Sequence, residues 1–116
     1  NQAIAESSVY AMTKKGLEML ARSQVSEVSA HGITVNVIAP GATVTPRTAE
    51  NVPDYEPIWS QVTPTGRPAY PRDIANAALF FLSPASGHIT GQTLIVDGGW
   101  SATSPEPKSQ FVDKTK

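Results

Sequence analysis

Tyr10 and Lys14 are a pair of residues whose types and spacing suggest chemistry. They are four positions apart, so on a helix they would share one face, about one turn apart. A free tyrosine phenol has a pKa near 10 and exchanges protons poorly at neutral pH. A lysine ammonium about 4 Å away favours the phenolate by about 1 kcal/mol in water, and by about 4 at an effective dielectric of 20. Such a pair can exchange a proton with an alcohol or carbonyl oxygen. Taken alone, the same two residues also fit a solvated helix face without chemistry.

The pair lies on a helix predicted from Glu6 to about Ser29, which Gly32 ends. Apolar residues recur at helical spacing along it and are expected to form one buried stripe: Leu17, Leu20, Ala21, Val25 and Val28. A strand is predicted over Ile33–Ala39, where apolar residues predominate, and Pro40 ends it.

A long loop is predicted over residues 41–71, with a short helix around Tyr55–Gln61. Loops of this length are usually functional lids or disordered. Six prolines fall within it: Pro46, Pro53, Pro57, Pro64, Pro68 and Pro71. Pro71 is suited to the first turn of a second helix, whose apolar residues have helical spacing: Ile74, Ala77, Ala78, Phe81 and Leu82. Thr93–Val96 is predicted to be a buried strand, and residues 101–116 a polar, disordered tail. The order helix, strand, loop, helix, strand indicates an α/β fold with parallel pairing.

Composition excludes several classes of function. The formal net charge is −1, which argues against a nucleic-acid or anionic-membrane binder. The chain has no cysteine, so disulfides and Cys-ligated metals are excluded. His31 and His88 are far apart in sequence, so we expect no metal site. No apolar run is long enough for a membrane span, and we expect a cytoplasmic protein.

A series of motifs follows the Tyr-x3-Lys pair in a specific order: His31-Gly-Ile-Thr-Val-Asn-Val-Ile-Ala-Pro-Gly41, Thr45, Gly66-Arg-Pro68, Asp73-Ile-Ala75 and Ile89-Thr-Gly-Gln-Thr-Leu-Ile-Val-Asp-Gly-Gly99. This series resembles the second half of short-chain dehydrogenases/reductases that use a Tyr-x3-Lys pair. The resemblance runs from about Val9 to Trp100. It implies a Rossmann-like doubly wound parallel sheet, of which residues 1–100 form the C-terminal part and residues 41–71 the substrate lid.

The resemblance also implies an activity. Family members are NAD(P)-dependent oxidoreductases that transfer hydride between a nicotinamide and a carbonyl or alcohol. Tyr10 resembles their catalytic acid/base. Lys14 resembles the residue that favours the phenolate and holds the nicotinamide ribose hydroxyls. The narrow Tyr-x3-Lys spacing argues against the enoyl-reductase relatives, which space the pair more widely.

The segment Pro40-Gly41-x-x-x-Thr45 resembles the turn that passes under the nicotinamide in this family. Thr43 lies where the main chain would contact the carboxamide. The hydroxyl of Thr45 would bond the amide or a phosphate, or Thr45 is simply a turn residue beside Pro46. Three aromatic residues of the lid either line a substrate pocket or pack on the domain: Tyr55, Trp59 and Tyr70.

Other polar residues are assigned no chemistry. Asn36 is expected to be structural, His88 a loop residue, and Asp97-Gly98-Gly99 a strand end followed by a tight turn.

Several parts of the family's pattern are not in this sequence. The eight glycines are scattered and form no glycine-rich phosphate-binding turn. The family's catalytic Ser would precede Tyr10 by about 13 positions and so lies outside the chain, as does the residue that selects NAD or NADP. We therefore expect the C-terminal half of a dehydrogenase, which is inactive by itself, with NADP slightly favoured over NAD. A small carbonyl or alcohol substrate and a homo-oligomer, dimer or tetramer, follow from the resemblance. The alternative is a non-catalytic truncated fragment or paralogue that persists through association with another chain.

Overall fold

The computed structural model describes residues 7–103. These residues form five α-helices and two strands, in the order α1 Ser8–Val28, β1 Val37–Pro40, α2 Pro46–Asn51, α3 Tyr55–Ser60, α4 Pro71–Leu82, β2 Thr93–Val96 and α5 Trp100–Thr103. Single 3-10 turns follow α1 and α4, at Ser29–His31 and Pro84–Ser86. Within this part of the chain, no helix is both long and apolar enough to cross a membrane.

The two strands pair side by side in one sheet. The Val37 N–H donates to the Gln92 carbonyl at 2.8 Å, and the Gly41 N–H donates to the Val96 carbonyl at 2.9 Å. Both partners advance by four residues, so the strands run in the same direction. Residues between them include α4, which agrees with a helical crossover between parallel strands. The predicted α/β class with parallel pairing is confirmed, and β2 has the predicted bounds.

The first strand is shorter than predicted, because it begins at Val37 rather than Ile33. Just before Val37, hydrogen bonds to side chains take the place of the main-chain hydrogen bonds between strands. The Val35 N–H donates to the Thr90 hydroxyl at 3.0 Å, and the Asn36 amide donates to the Ile89 carbonyl at 2.8 Å. The Asn36 side-chain oxygen also accepts from the Gln92 N–H at 3.1 Å. Asn36 therefore joins the approaches to both strands, which gives it the structural role expected of it.

The described chain divides into two compact units. One unit contains the residues up to Ala39 together with Ala75–Ile95, and thus α1 and most of α4. The other contains Pro40–Ile74 and the chain from Val96 onward, and thus α2, α3 and α5. The single domain over residues 1–100 stays a prediction.

The apolar stripe of α1 is not buried as predicted. Ala21 is buried, whereas Leu17 and Leu20 are each 53% exposed. Helical spacing correctly places these side chains along one face. It carries no information about what covers that face, and the described residues leave Leu17 and Leu20 exposed.

The predicted loop over residues 41–71 contains two short helices. The second, α3, agrees with the short helix predicted around Tyr55–Gln61, whereas α2 was not predicted. Thr45 caps α2, and Pro46 occupies its first turn, where a missing N–H costs nothing. At the other end of the chain, α5 includes Ser101–Thr103, so the predicted tail begins with a helical turn rather than disorder. The rest of that tail, residues 104–116, lies outside the described residues.

The start of α4 is fixed by an ion pair. The Arg67 guanidinium donates two hydrogen bonds to the Asp73 carboxylate, at 2.7 and 3.0 Å, and the Tyr70 N–H donates a third at 2.8 Å. These hydrogen bonds, with those from Arg67 first, lower the pKa of Asp73 from 3.8 to about 2. A carboxylate in the first turn of a helix is also favoured by the helix dipole.

This pair predicts a pH dependence. Because the pKa of Asp73 is lowered in the folded state, its contribution to stability is complete above about pH 4 and is lost as the pH falls towards 2. Arg67→Met should raise the pKa of Asp73 towards its usual value, as measured by NMR titration of the side-chain carboxyl carbon. Arg72→Met is the matched control, since Arg72 acts on Asp73 only by a weaker charge effect. An unchanged titration in Arg67→Met would contradict the assignment.

Candidate active site

The Tyr10–Lys14 pair lies in the first half of α1, within the first unit. The Lys14 ammonium is 5.5 Å from the centroid of the Tyr10 ring, within the range of a cation–π contact. The predicted shared face is thereby confirmed. Tyr10 is 62% exposed, so its phenol is accessible to a reactant. The neighbouring Lys15 is engaged differently, in an ion pair with Glu18 at 2.8 Å.

The turn after β1 belongs to the second unit and depends on Gly41. Its N–H continues the sheet by donating to Val96, and its α-carbon lies against the end of β2. A β-carbon at this position would be 2.4 Å from the Asp97 β-carbon and 2.8 Å from its α-carbon. Only glycine fits there without a shift of the backbone. The Pro40-Gly41 segment therefore fixes how the following residues leave the sheet.

The polar groups of Thr43 are all engaged within the second unit. Its N–H donates to the Tyr55 hydroxyl at 3.1 Å, and its carbonyl accepts from the Thr48 hydroxyl at 3.1 Å. Its own hydroxyl donates to the Gly41 carbonyl at 2.9 Å. The main-chain groups that the resemblance assigns to a carboxamide are thus held by internal partners.

Thr45 is the N-cap of α2, so the turn role left open for it is observed. Its hydroxyl accepts from the Thr48 N–H at 3.2 Å, and its own N–H donates to the Thr48 hydroxyl at 2.8 Å. This reciprocal arrangement is a capping box. A hydroxyl has one hydrogen and two lone pairs, so Thr45 keeps capacity for a further hydrogen bond. A ligand role for Thr45 therefore stays a prediction beside its capping role.

Sequence reasoning missed Thr48, which bonds both Thr43 and Thr45. The signal was available, because Thr45-Pro46-Arg47-Thr48 has a capping residue followed by proline and a second hydroxyl at the third helical position.

Two of the three lid aromatics pack against each other. The Tyr55 ring is 6.1 Å from Trp59, and Trp59 meets Trp100 edge-on at 5.5 Å. The Tyr70 hydroxyl donates to the Glu56 carboxylate, and its ring lies 5.3 Å from the Arg67 guanidinium. Of the two roles open for these aromatics, the contacts of Tyr55 and Trp59 show packing, whereas the contacts of Tyr70 are with charged side chains.

Asp97 closes the turn after β2. Its carboxylate accepts from the Gly99 N–H at 2.9 Å and the Ser101 N–H at 2.8 Å. Burial would raise the pKa of Asp97, but the hydrogen bonds from Ser101 and Gly99 outweigh it, and the net shift is downwards. The arrangement agrees with the predicted strand end and tight turn. His88 is exposed in the loop before β2, where the sequence places it.

The donor set of the turn suits the nicotinamide end of a dinucleotide. A carboxamide needs one donor for its oxygen and one acceptor for its nitrogen. The main chain of Thr43 has one of each, which Tyr55 and Thr48 hold in this structure, and the half-buried Thr45 hydroxyl keeps capacity for a further bond. A pyrophosphate would need a glycine-rich turn at a helix N-terminus, which this sequence lacks. The residues present therefore fit one end of the cofactor.

Comparison with known proteins identifies the family. Residues 1–101 match a family model described as enoyl-(acyl carrier protein) reductase. The chain belongs to the short-chain dehydrogenase/reductase family. Because the match covers most of the chain, it includes α1, both strands and the lid. The resemblance to this family is thereby confirmed, while the description of the model names the reductase class that the Tyr-x3-Lys spacing argues against.

Relatives of this family agree in sequence. The chain is 38% identical over 96 residues to galactitol 2-dehydrogenase (L-tagatose-forming) of Cereibacter sphaeroides, covering 81% of this chain and 38% of that protein. It is 40% identical over 90 residues to a 3-oxoacyl-[acyl-carrier-protein] reductase of Chlamydia pneumoniae, covering 78% and 36%. The chain thus spans less than half the length of these curated relatives.

Solved structures agree in fold. A 7α-hydroxysteroid dehydrogenase complexed with NADH and 7-oxo glycochenodeoxycholic acid superposes with a TM-score of 0.76 and 40% identity. The match covers 85% of this chain and 39% of that one. The two parallel strands and their helices therefore correspond to the C-terminal part of the family's Rossmann fold.

Proposed function

We propose that this chain contributes the acid/base pair of a short-chain dehydrogenase/reductase acting on a carbonyl or alcohol with NAD(P). The observation that carries the proposal is the contact between Tyr10 and the Lys14 ammonium on an exposed face of α1. In a family of dehydrogenases and reductases, this pair supplies the proton transfer that accompanies reduction or oxidation of a C–O bond.

NAD(P), when bound, supplies or accepts the hydride at the reacting carbon. In reduction, the Tyr10 hydroxyl gives its proton to the carbonyl oxygen, which becomes the hydroxyl oxygen of the product alcohol. In oxidation, the Tyr10 phenolate takes the proton of the alcohol. The Lys14 ammonium lies 5.5 Å from the centroid of the Tyr10 ring, next to the group that exchanges the proton. Lys14 would also donate to the nicotinamide ribose hydroxyls.

The turn from Pro40 to Thr45 receives the nicotinamide end. Gly41 lets the chain leave the sheet against Asp97. The main chain of Thr43, which Tyr55 and Thr48 hold in this structure, would contact the carboxamide. The Thr45 hydroxyl adds a further hydrogen bond. The lid over residues 41–71 shapes the substrate pocket, and the family suggests a small carbonyl or alcohol substrate, a homo-oligomer and a slight preference for NADP.

Separate substitutions of two neighbouring lysines of α1, Lys14 and Lys15, test the proposal. Lys14→Met should lower kcat/KM for the dinucleotide-dependent reaction by about 10- to 100-fold, because the phenolate loses its nearest cation. The measurement is oxidation of NADH or NADPH in the presence of a panel of ketones, 3-oxoacyl thioesters and sugars. Lys15→Met is the matched control, since Lys15 pairs with Glu18 instead and should keep full activity. Equal activity of the two variants would refute the role of Lys14.

A second candidate function is association without catalysis. The exposed apolar stripe of α1, with Leu17 and Leu20 each 53% exposed, favours a chain that persists by binding another chain. This candidate predicts no turnover in the same panel and a concentration-dependent oligomer in sedimentation. A stable monomer would count against it.

A further inference from the structure

Tyr55 reaches Thr43 from the lid. The hydroxyl of Tyr55, the first residue of α3, accepts the Thr43 N–H at 3.1 Å. Burial raises the pKa of Tyr55, while the hydrogen bond from Thr43 lowers it, and burial is the larger effect. Tyr55 therefore stays a neutral phenol at physiological pH. As a neutral phenol, it can accept from Thr43 through a lone pair, as a carbonyl oxygen would.

The Tyr55 ring is positioned without help from its hydroxyl. It packs on Trp59 at 6.1 Å, and Trp59 packs on Trp100. The Tyr70 hydroxyl holds the same helix through Glu56. Removal of the Tyr55 hydroxyl should thus leave α3 in place and free only the Thr43 N–H.

We infer that the Tyr55 hydroxyl is an internal competitor of the nicotinamide carboxamide for the Thr43 N–H, and that Tyr55 thereby sets the affinity for the cofactor. This inference rests on the proposed function, which assigns the Thr43 main chain to the carboxamide. The N–H has one hydrogen to donate, so the carboxamide oxygen and the phenol oxygen exclude each other as strong acceptors. Binding therefore exchanges one neutral hydrogen bond for another instead of adding one.

The effect of this exchange on the affinity for the dinucleotide can be measured. The net value of one neutral hydrogen bond corresponds to about a 2- to 10-fold change in affinity. Tyr55→Phe leaves the Thr43 N–H without its internal acceptor and should bind the dinucleotide tighter by that factor. Tyr55 acts as a positioning residue, so the change belongs in the dissociation constant.

The experiment uses the chain joined to a glycine-rich N-terminal half that supplies the pyrophosphate site, as the wild type and as the Tyr55→Phe variant, titrated with NADH and with NADPH by isothermal calorimetry. The Thr43 amide resonance is followed in parallel by ¹⁵N NMR. Ser60→Ala is the control, because it removes another hydroxyl of α3, one that donates to the Glu56 carbonyl and does not contact Thr43. We expect the Thr43 amide to shift in Tyr55→Phe before any nucleotide is added. We also expect tighter binding in Tyr55→Phe than in the wild type or Ser60→Ala.

Each other outcome has a distinct meaning. A Thr43 amide that does not move in Tyr55→Phe overturns the inference without reference to any cofactor. Equal or weaker binding by Tyr55→Phe, with saturable binding by the wild type, overturns the inference and leaves the proposed function standing. Binding of neither NADH nor NADPH by any variant contradicts the proposed function and the inference with it.

Discussion

Replacing Tyr10 with phenylalanine should lower kcat of the dinucleotide-dependent reaction by about 10²- to 10⁴-fold, the usual contribution of a positioned general acid or base. The substitution removes the hydroxyl and keeps the ring, so the contact with the Lys14 ammonium persists. KM for the substrate should change much less than kcat, because proton transfer matters most in the transition state. The measurement is steady-state turnover with the carbonyl substrate that the panel identifies.

Circular dichroism distinguishes lost chemistry from lost structure. Far-UV circular dichroism should be the same for both proteins, since Tyr10 is 62% exposed and no core contact is removed. Full activity in Tyr10→Phe would refute the catalytic assignment.

Gly41→Ala should reduce the free energy of unfolding by about 1–3 kcal/mol, the usual cost of forcing extra volume into a packed site. The new methyl group would be 2.4 Å from the β-carbon of Asp97 and 2.8 Å from its α-carbon. Neither atom is the end of a flexible side chain, so the end of β2 must move. That movement would also weaken the hydrogen bond from the Gly41 N–H to Val96. Urea unfolding followed by circular dichroism measures the loss.

Gly16→Ala is the matched control for this prediction. Gly16 lies within α1, and a β-carbon there would meet nothing within 4 Å. Alanine in a helix interior is favoured over glycine by about 0.5–1 kcal/mol, so this variant should be more stable than the wild type. If Gly41→Ala unfolds at the same urea concentration as the wild type, the close approach at Gly41 is wrong.

Local signals made the secondary structure predictable. Thr93–Val96 lies between glycines, and Pro71 marks a helix start, so β2 and the start of α4 agree with prediction. Prediction failed where distant side chains determine the bounds of an element. Hydrogen bonds of Asn36 with Ile89 and Gln92 delay the start of β1, and these partners are more than fifty residues away.

The candidate site was predictable only in part. Tyr10 and Lys14 could be placed together because helical geometry alone relates them. The hydrogen bond from Thr43 to Tyr55 could not, because it depends on how the lid folds back on the turn. Burial of Leu17 was predicted wrongly, since periodicity in one sequence defines a face and not its partner.

The edge-on contact between Trp59 and Trp100 has a spectroscopic consequence. These are the only two tryptophans in the chain, and both belong to the second unit. Intrinsic tryptophan emission therefore reports on the lid and the turn after β2. Ellipticity instead reports on helices of both units, among which α1 is the longest described and has no tryptophan. One denaturation experiment thus compares a local signal from the second unit with the helical content of the described chain, without the introduction of any label.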